Sequence, residues 1–272
     1  MTSARSALVN RIGHFRRPPG CLPAASYAID WANPLARMLV SFAVDGMDIV
    51  RGIRGVNTSG SYGADPHAPY WEKATDALLN FPPPVLDFPA AGYPNMTMVA
   101  GGHFQSADSA TALGITEASG AYGVALRPYQ WAAGGNIGVT HFNYADTNGG
   151  IALPDSGYHI FGAAFDSVDH TFAIDGLQLS EGVAAAQVEV GAGLDRMTWG
   201  ANEKQGSITD HLANGDRIHF TAVWNRKLLP LELLSFTRDP FQILLARNSL
   251  LNLVSTQVSA TLLSQISNQG GF

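Results

Sequence analysis

Apolar and polar residues alternate along much of this chain with the two-residue period of β-strands, and the rhythm changes once near the end. Phe220, Ala222 and Trp224 alternate with Thr221, Val223 and Asn225, which predicts a strand with one strongly apolar face. The period then lengthens. Pro230 suits a first helical position, Glu232 falls in the first turn where an acid complements the helix dipole, and Leu231, Leu234 and Phe236 are placed to face a core. Asp239-Pro240 predicts the stop, because proline disfavours helical backbone at the residue before it.

Upstream, short apolar runs predict strands at 39–44, 96–104, 123–126, 137–144, 158–165, 171–174, 177–179, 188–190, 197–199 and 217–225. Asp45-Gly46, Asn148-Gly149, Asp175-Gly176 and Asn214-Gly215 offer positive-φ turn positions, and Phe172 to Leu179 reads as two strands joined by a tight Asp-Gly turn. Residues 57–94 are rich in glycine and proline, including Pro82-Pro83-Pro84, and predict long loops lying over a sheet. No helical pattern occurs between residues 96 and 225, so an antiparallel sandwich is the economical solution.

Composition narrows this picture. The 272 residues, with 29 glycines, 15 prolines and only 14% charged side chains, fit one large β-rich domain. A net charge of −6 speaks against nucleic acid as a partner, since phosphate contact needs concentrated Lys and Arg. Cys21 is the single cysteine, so there is no internal disulfide or multi-cysteine metal site, as expected of folding in a reducing compartment. No apolar run of about 18 residues is present to span a bilayer, and no signal-type hydrophobic region follows the N-terminal arginines. A soluble protein made in the cytoplasm is expected, without a membrane partner.

The two ends differ from the middle. Residues 1–29 read as an arm whose Arg5, Arg11, Arg16 and Arg17 meet no acid before Pro18-Pro19-Gly20. A docking segment, a solvated terminus and a mitochondrial presequence are all compatible with it. Residues 246–272 form a tail that is uncharged after Arg247. Val254, Val258 and Leu262 stand on one side whether it is strand or helix, and periodicity leaves both open. Such a segment is expected to dock on another molecule. The body between them spans residues 30–245.

Three stretches of that body resemble a known family. Val223-Trp224-Asn225-Arg226-Lys227-Leu228 followed by Glu232-Leu233-Leu234 and Asp239-Pro240, Thr171–Gly176 with its Asp-Gly ending, and Asn33-Pro34-Leu35-Ala36 with Leu39-Val40 are similar to concanavalin A-like, laminin-G-like jelly-roll domains of bacteriophage virion proteins. Where the family carries a serine helix cap this chain has Leu229, with Pro230 presetting φ instead. The resemblance implies an all-β jelly-roll sandwich of two antiparallel sheets with one short helix near the C-terminal end and extended terminal arms. It also implies a non-enzymatic structural protein of a phage particle (decoration, spike or tail-associated), made in the host cytoplasm and located in the virion. Its arms, through Arg11, Arg16, Arg17, Val254, Val258 and Leu262, would bind other virion proteins or copies of itself. A free-standing lectin module and a degenerate glycoside hydrolase are the alternatives.

The search for chemistry returns little. None of the six glutamates forms the closely spaced acid pair that retaining glycoside hydrolysis requires, and no nucleophile elbow, His-Glu-x-x-His or phosphate-cradling loop is present. The eight histidines are scattered singly; pairs such as His159 with His170, or His211 with His219, lack an evident third ligand. No cofactor is expected beyond calcium, for which Asp45, Asp146, Asp155 and Asp166 are the candidate turn carboxylates. The most ligand-like stretch combines Tyr129 and Trp131 with Asn143, Tyr144 and Asp146. Sugars stack their apolar faces on aromatic rings while their hydroxyls need directional partners. The same aromatic residues would equally fill a core.

Overall fold

The computed structural model describes residues 27–82, 95–105, 110–117, 123–129, 135–142, 145–184, 194–204 and 207–246. They form a jelly-roll sandwich of two antiparallel sheets. The larger sheet runs Gln178–Ala184, Asp169–Ile174, Tyr158–Phe165, Met96–His103, Arg217–Trp224, Leu39–Val44, Met47–Asp48 and Ile53–Arg54 in spatial order. Pro69–Glu72 also pairs with the start of Arg217–Trp224, and Ser61–Ala64 pairs with it in turn. The smaller sheet runs Ala145–Ala152, Asn136–His141, Gly123–Arg127, Leu113–Glu117, Leu194–Trp199, Leu79–Phe81 and Val56–Asn57.

Two apolar layers result, one on each face of the larger sheet. Between the sheets, Met98, Phe161, Phe172 and Val223 meet Leu113, Ile115, Leu126, Met197 and Trp199. On the other face, Phe42, Val99, Phe220 and Trp224 are covered by Leu233, Phe236, Phe241 and Ile243 from the C-terminal helical segment. A sheet covered on both sides needs apolar residues at successive positions, so its central strands Met96–His103 and Tyr158–Phe165 are buried almost throughout. The same holds for Arg217–Trp224, where Ile218 and Val223 face one layer while Phe220, Ala222 and Trp224 face the other. Trp199 Nε1 donates to Thr221 Oγ1 across the core at 2.8 Å.

The helix spans Pro230–Arg238, with proline at its start as expected. Its buried face is Leu233, Phe236 and Thr237; Leu231, expected to face the core, is 74% exposed and Leu234 is only partly covered. Phe236 is buried as expected, and Leu233 takes the inner place expected of Leu231. Leu229 provides no side-chain cap, and Glu232 takes over by accepting from the Leu229 amide at 2.9 Å. Glu232 also pairs with Arg226 through both of its oxygens, at 2.7 and 3.1 Å, and Arg226 reaches back to the carbonyls of Arg37 and Pro34. Trp224 Nε1 donates to the Leu35 carbonyl at 2.7 Å. The stretches that carried the family resemblance at the two ends of the body therefore form one clasp.

Asp175-Gly176 makes the predicted hairpin turn, with φ of 54° and 66° and the Leu177 amide donating to the Ile174 carbonyl at 2.9 Å. Gly176 is needed twice over, since a Cβ there would overlap the Arg238 side chain of the helix. Two expectations are corrected. Residues 57–94 are not loops throughout, because Pro69–Glu72 and Leu79–Phe81 are strands with Trp71, Leu79 and Phe81 fully buried. Asn148-Gly149 lies inside Ala145–Ala152 rather than at a turn, and the irregularity there is a bulge opposite Asn136–Gly138 with Gly150 at φ 69°. Tyr27–Ile29, assigned by sequence to the arm, pairs antiparallel with Leu244–Ala246. The predicted strand at 188–190 and all six assembly residues lie outside the described residues.

Candidate functional site

The outer faces of the two sheets are treated differently. The helix and its neighbours cover that of the larger sheet, whereas among the described residues no helix covers the smaller one. Alternation fixes which side chains it presents. Leu79 and Phe81 point into the core, so Asn80 points out; Met197 points in, so Arg196 and Thr198 point out. Around Asn80 and Arg196 lies a groove of about 500 Å³, lined by Val56, Thr58, Leu78, Pro82, Glu203 and Ile208 as well.

One wall is the hairpin Asn202–Lys204 and Ser207–Thr209. It is anchored by charge-assisted contacts. Arg196 Nη1 meets Glu203 Oε1 at 2.8 Å across the groove lining. Asp210, just beyond the hairpin, accepts from Asn202 Nδ2 at 3.0 Å and from Arg127 Nη2 at 2.9 Å. Two carbonyl oxygens of side-chain amides, Asn80 Oδ1 and Asn202 Oδ1, are buried without a partner among the described residues, and Asn80 belongs to the groove lining. The site thus combines apolar surface from Val56, Leu78, Pro82 and Ile208 with a compensated ion pair and the Asn80 side chain. Such a set holds an uncharged, hydroxyl-bearing ligand better than an ion.

Of the five residues predicted to bind sugar, Tyr129 and Asp146 are among the described residues. Tyr129 lies in the layer between the sheets, with its hydroxyl donating to the Phe104 carbonyl at 3.1 Å, so burial pushes its pKa up and its ring is not presented to solvent. Asp146 is exposed on Ala145–Ala152 and accepts from Thr140 on the neighbouring strand. Trp131, Asn143 and Tyr144 lie outside the described residues. The carboxylates considered for calcium sit at separate places, each with donors of its own: Asp45 near Arg54, Asp155 with the Gly157 amide and His159, and Asp166 with the amides of Val168 and Asp169 and with Lys227.

The histidines are less scattered in space than in sequence. His141 and His170 share a hydrogen bond of 3.1 Å in the core. Burial pulls His141 down to about 4 and His170 to about 3. His159 sits between Asp175 and Asp155, at 2.7 and 3.0 Å, and these carboxylates outweigh burial and raise its pKa. His103 and His219 share the carboxylate of Asp65 on the outer face of the larger sheet. Burial lowers both imidazoles, His219 to about 4, so both are neutral at pH 7. Burial raises Asp65, but His219 and the amides of His67 and Ala68 prevail and keep it a carboxylate. Sequence reasoning missed this grouping, and equally missed the groove, because Asn80, Arg196 and Glu203 come from segments that only strand pairing brings together.

No family model matches the chain, and no curated protein matches it. Solved structures do. Domain 4 of AbnA, a GH43 extracellular arabinanase from Geobacillus stearothermophilus solved with arabinotriose, aligns over 73% of this chain and 98% of its own, with 12% identity and a TM-score of 0.58. Trypanosoma rangeli sialidase aligns over 88% of this chain but only 38% of its own, with 12% identity and a TM-score of 0.52. What the chain has in common with these proteins is the jelly-roll-like β-sandwich fold.

Proposed function

We propose that this protein is a non-catalytic carbohydrate-binding module that holds a neutral oligosaccharide in the groove beside the 202–209 hairpin on the outer side of the smaller sheet. The observation that carries the reading is the groove lining: apolar patches for sugar faces beside the polar side chains of Thr58, Asn80 and the Arg196–Glu203 pair for hydroxyls. A volume of about 500 Å³ falls within the range of roughly 300–1,000 Å³ usual for small-molecule sites. Binding without cleavage is supported by the donor set. Among the described residues of the groove, Glu203 is the only carboxylate and is engaged by Arg196, whereas glycoside hydrolysis uses two carboxyl groups. The arabinotriose-bound arabinanase domain adds a precedent of similar architecture. The virion setting rests on the sequence resemblance and the two arms, and it enters here as a place where such a face would meet host-surface glycans.

A glycan array followed by calorimetry on the strongest hits, with arabinotriose and sialyllactose included, tests the proposal. Binding is expected for at least one neutral oligosaccharide, and Arg196→Ala is expected to weaken it about tenfold, the worth of one polar contact. No binding across the array, or affinity unaltered by Arg196→Ala, would overturn it.

A further inference from the structure

The second polar cluster lies on the opposite sheet and does not depend on the groove. Three segments distant in sequence deliver it. His103 ends the strand Met96–His103, and Asp65 follows Ser61–Ala64. His219 occupies a β-bulge: Ile218 pairs with Gly102 and Phe220 with Gly101, leaving His219 as the extra residue. The bulge turns both His219 and Phe220 to the outer face. Gly102 permits it, because a Cβ there would run into the Arg217 carbonyl.

Asp65 is aimed by its own turn. Its Oδ1 accepts from the amides of His67 at 2.9 Å and Ala68 at 3.4 Å, which leaves Oδ2 directed at the two imidazoles. Oδ2 lies 2.8 Å from His219 Nε2 and 3.2 Å from His103 Nε2, and the three atoms lie within 4.8 Å of one another. The surroundings hold these positions. His67 stacks on Tyr158 with ring centres 3.9 Å apart, and Arg217 is engaged by Glu72 at 2.8 Å, so its charge is compensated. His219 is fully buried while the His103 side chain is 29% exposed, so the cluster has a rigid floor and an open side.

We infer that Asp65, His103 and His219 form a binding site for a divalent transition-metal ion of the zinc class, with its remaining coordination position open to solvent on the His103 side. Two imidazole nitrogens and one carboxylate oxygen suit zinc, whereas calcium and magnesium prefer all-oxygen shells. Tetrahedral bonds of roughly 2.0–2.1 Å place donor atoms about 3.3 Å apart, so the observed 2.8 and 3.2 Å need open by only a few tenths of an ångström. The ion would fasten the turn after Ser61–Ala64 to two central strands of the larger sheet.

The test uses the full chain stripped with a chelator, then titrated with ZnCl2 against a chromogenic competitor and, separately, heated with ZnCl2 or CaCl2. One equivalent of zinc is expected to bind and to raise the unfolding temperature, with no rise from CaCl2. His103→Gln, chosen because His103 is the most exposed ligand, is expected to lose on the order of 100-fold in zinc affinity while keeping the wild-type unfolding temperature without metal. Asp65→Asn, run in parallel, should lose as much. Absence of one-to-one binding below about 100 μM zinc, or unaltered zinc affinity in both variants, would overturn the inference.

Discussion

The buried pair His141–His170 should make this protein sensitive to mild acid, by an amount that its geometry allows to be estimated. The two rings come from different sheets and meet at 3.1 Å through Nε2 atoms. His170 is fully buried and lies parallel to Phe165 and Phe172, with ring centres 5.1 and 6.0 Å away. Burial holds the folded pKa of His141 at about 4 and that of His170 at about 3, each below the unfolded value of 6.5. The unfolded chain therefore takes up protons that the folded chain refuses. Stability is full above the unfolded pKa and is lost as pH falls from about 6.5 toward 4. At pH 5 the linkage relation gives about 2 kcal/mol per histidine, hence about 4 kcal/mol for the pair.

The assay is urea unfolding at pH 7.5 and pH 5 of the wild type and of His141→Gln/His170→Gln, which cannot titrate but keeps a side-chain amide hydrogen bond. Other groups cancel in this comparison. His219 loses stability in the same pH range, whereas Asp216, which burial pushes up to about 7 against the amides of Gln105 and Ala213, acts with the opposite sign and loses stability as pH rises through 7. Both are common to the two proteins. The wild type should lose about 4 kcal/mol more than the double variant between the two pH values. A difference below about 1 kcal/mol would show that these imidazoles titrate freely in the folded state, and the reasoning would fail.

Two further outcomes follow from packing. Phe236 is fully buried edge-on against Trp224, with ring centres 4.6 Å apart, so Phe236→Ala should cost about 3–5 kcal/mol in urea unfolding; a loss under 1 kcal/mol would mean that the helix does not seal the larger sheet. Gly176→Ala must adopt φ near 66° and displace Arg238, whose Cα would lie 2.8 Å from the new Cβ. It should cost at least about 2 kcal/mol, and an unaltered unfolding temperature would refute the turn geometry.

Much of the architecture is legible in the residue pattern wherever a segment is long and its turn chemistry is explicit. Tyr158–Phe165 has the predicted bounds, the Asp175-Gly176 hairpin forms, and Pro230 and Asp239-Pro240 bracket the helix. The failures have physical causes. Pro69–Glu72 is too short to show a period, and its place is set by pairing with Arg217–Trp224 rather than by local preference. Leu113–Glu117 was not predicted, because Leu113 and Ile115 supply only two apolar beats in five residues. On the helix, Phe236 is buried as expected, but Leu233 and not Leu231 joins it, since the two leucines are equally apolar and only packing distinguishes them. The sites were hidden for a related reason: His219 reaches Asp65 through a bulge, and Asn80 and Arg196 come to one groove through pairing between distant strands, neither of which has a local signature.

The short ribbon in which Tyr27–Ile29 lies against Leu244–Ala246 governs how the body would respond to pulling. Because the pairing is antiparallel, Tyr27 stands opposite Ala246, and the flanking chain leaves from the same point in both directions. Tension applied across those exits would open the ribbon like a zipper, one residue pair after another, instead of loading all its hydrogen bonds together. The seam would yield at low force and lengthen the tether while the sandwich behind it stayed folded.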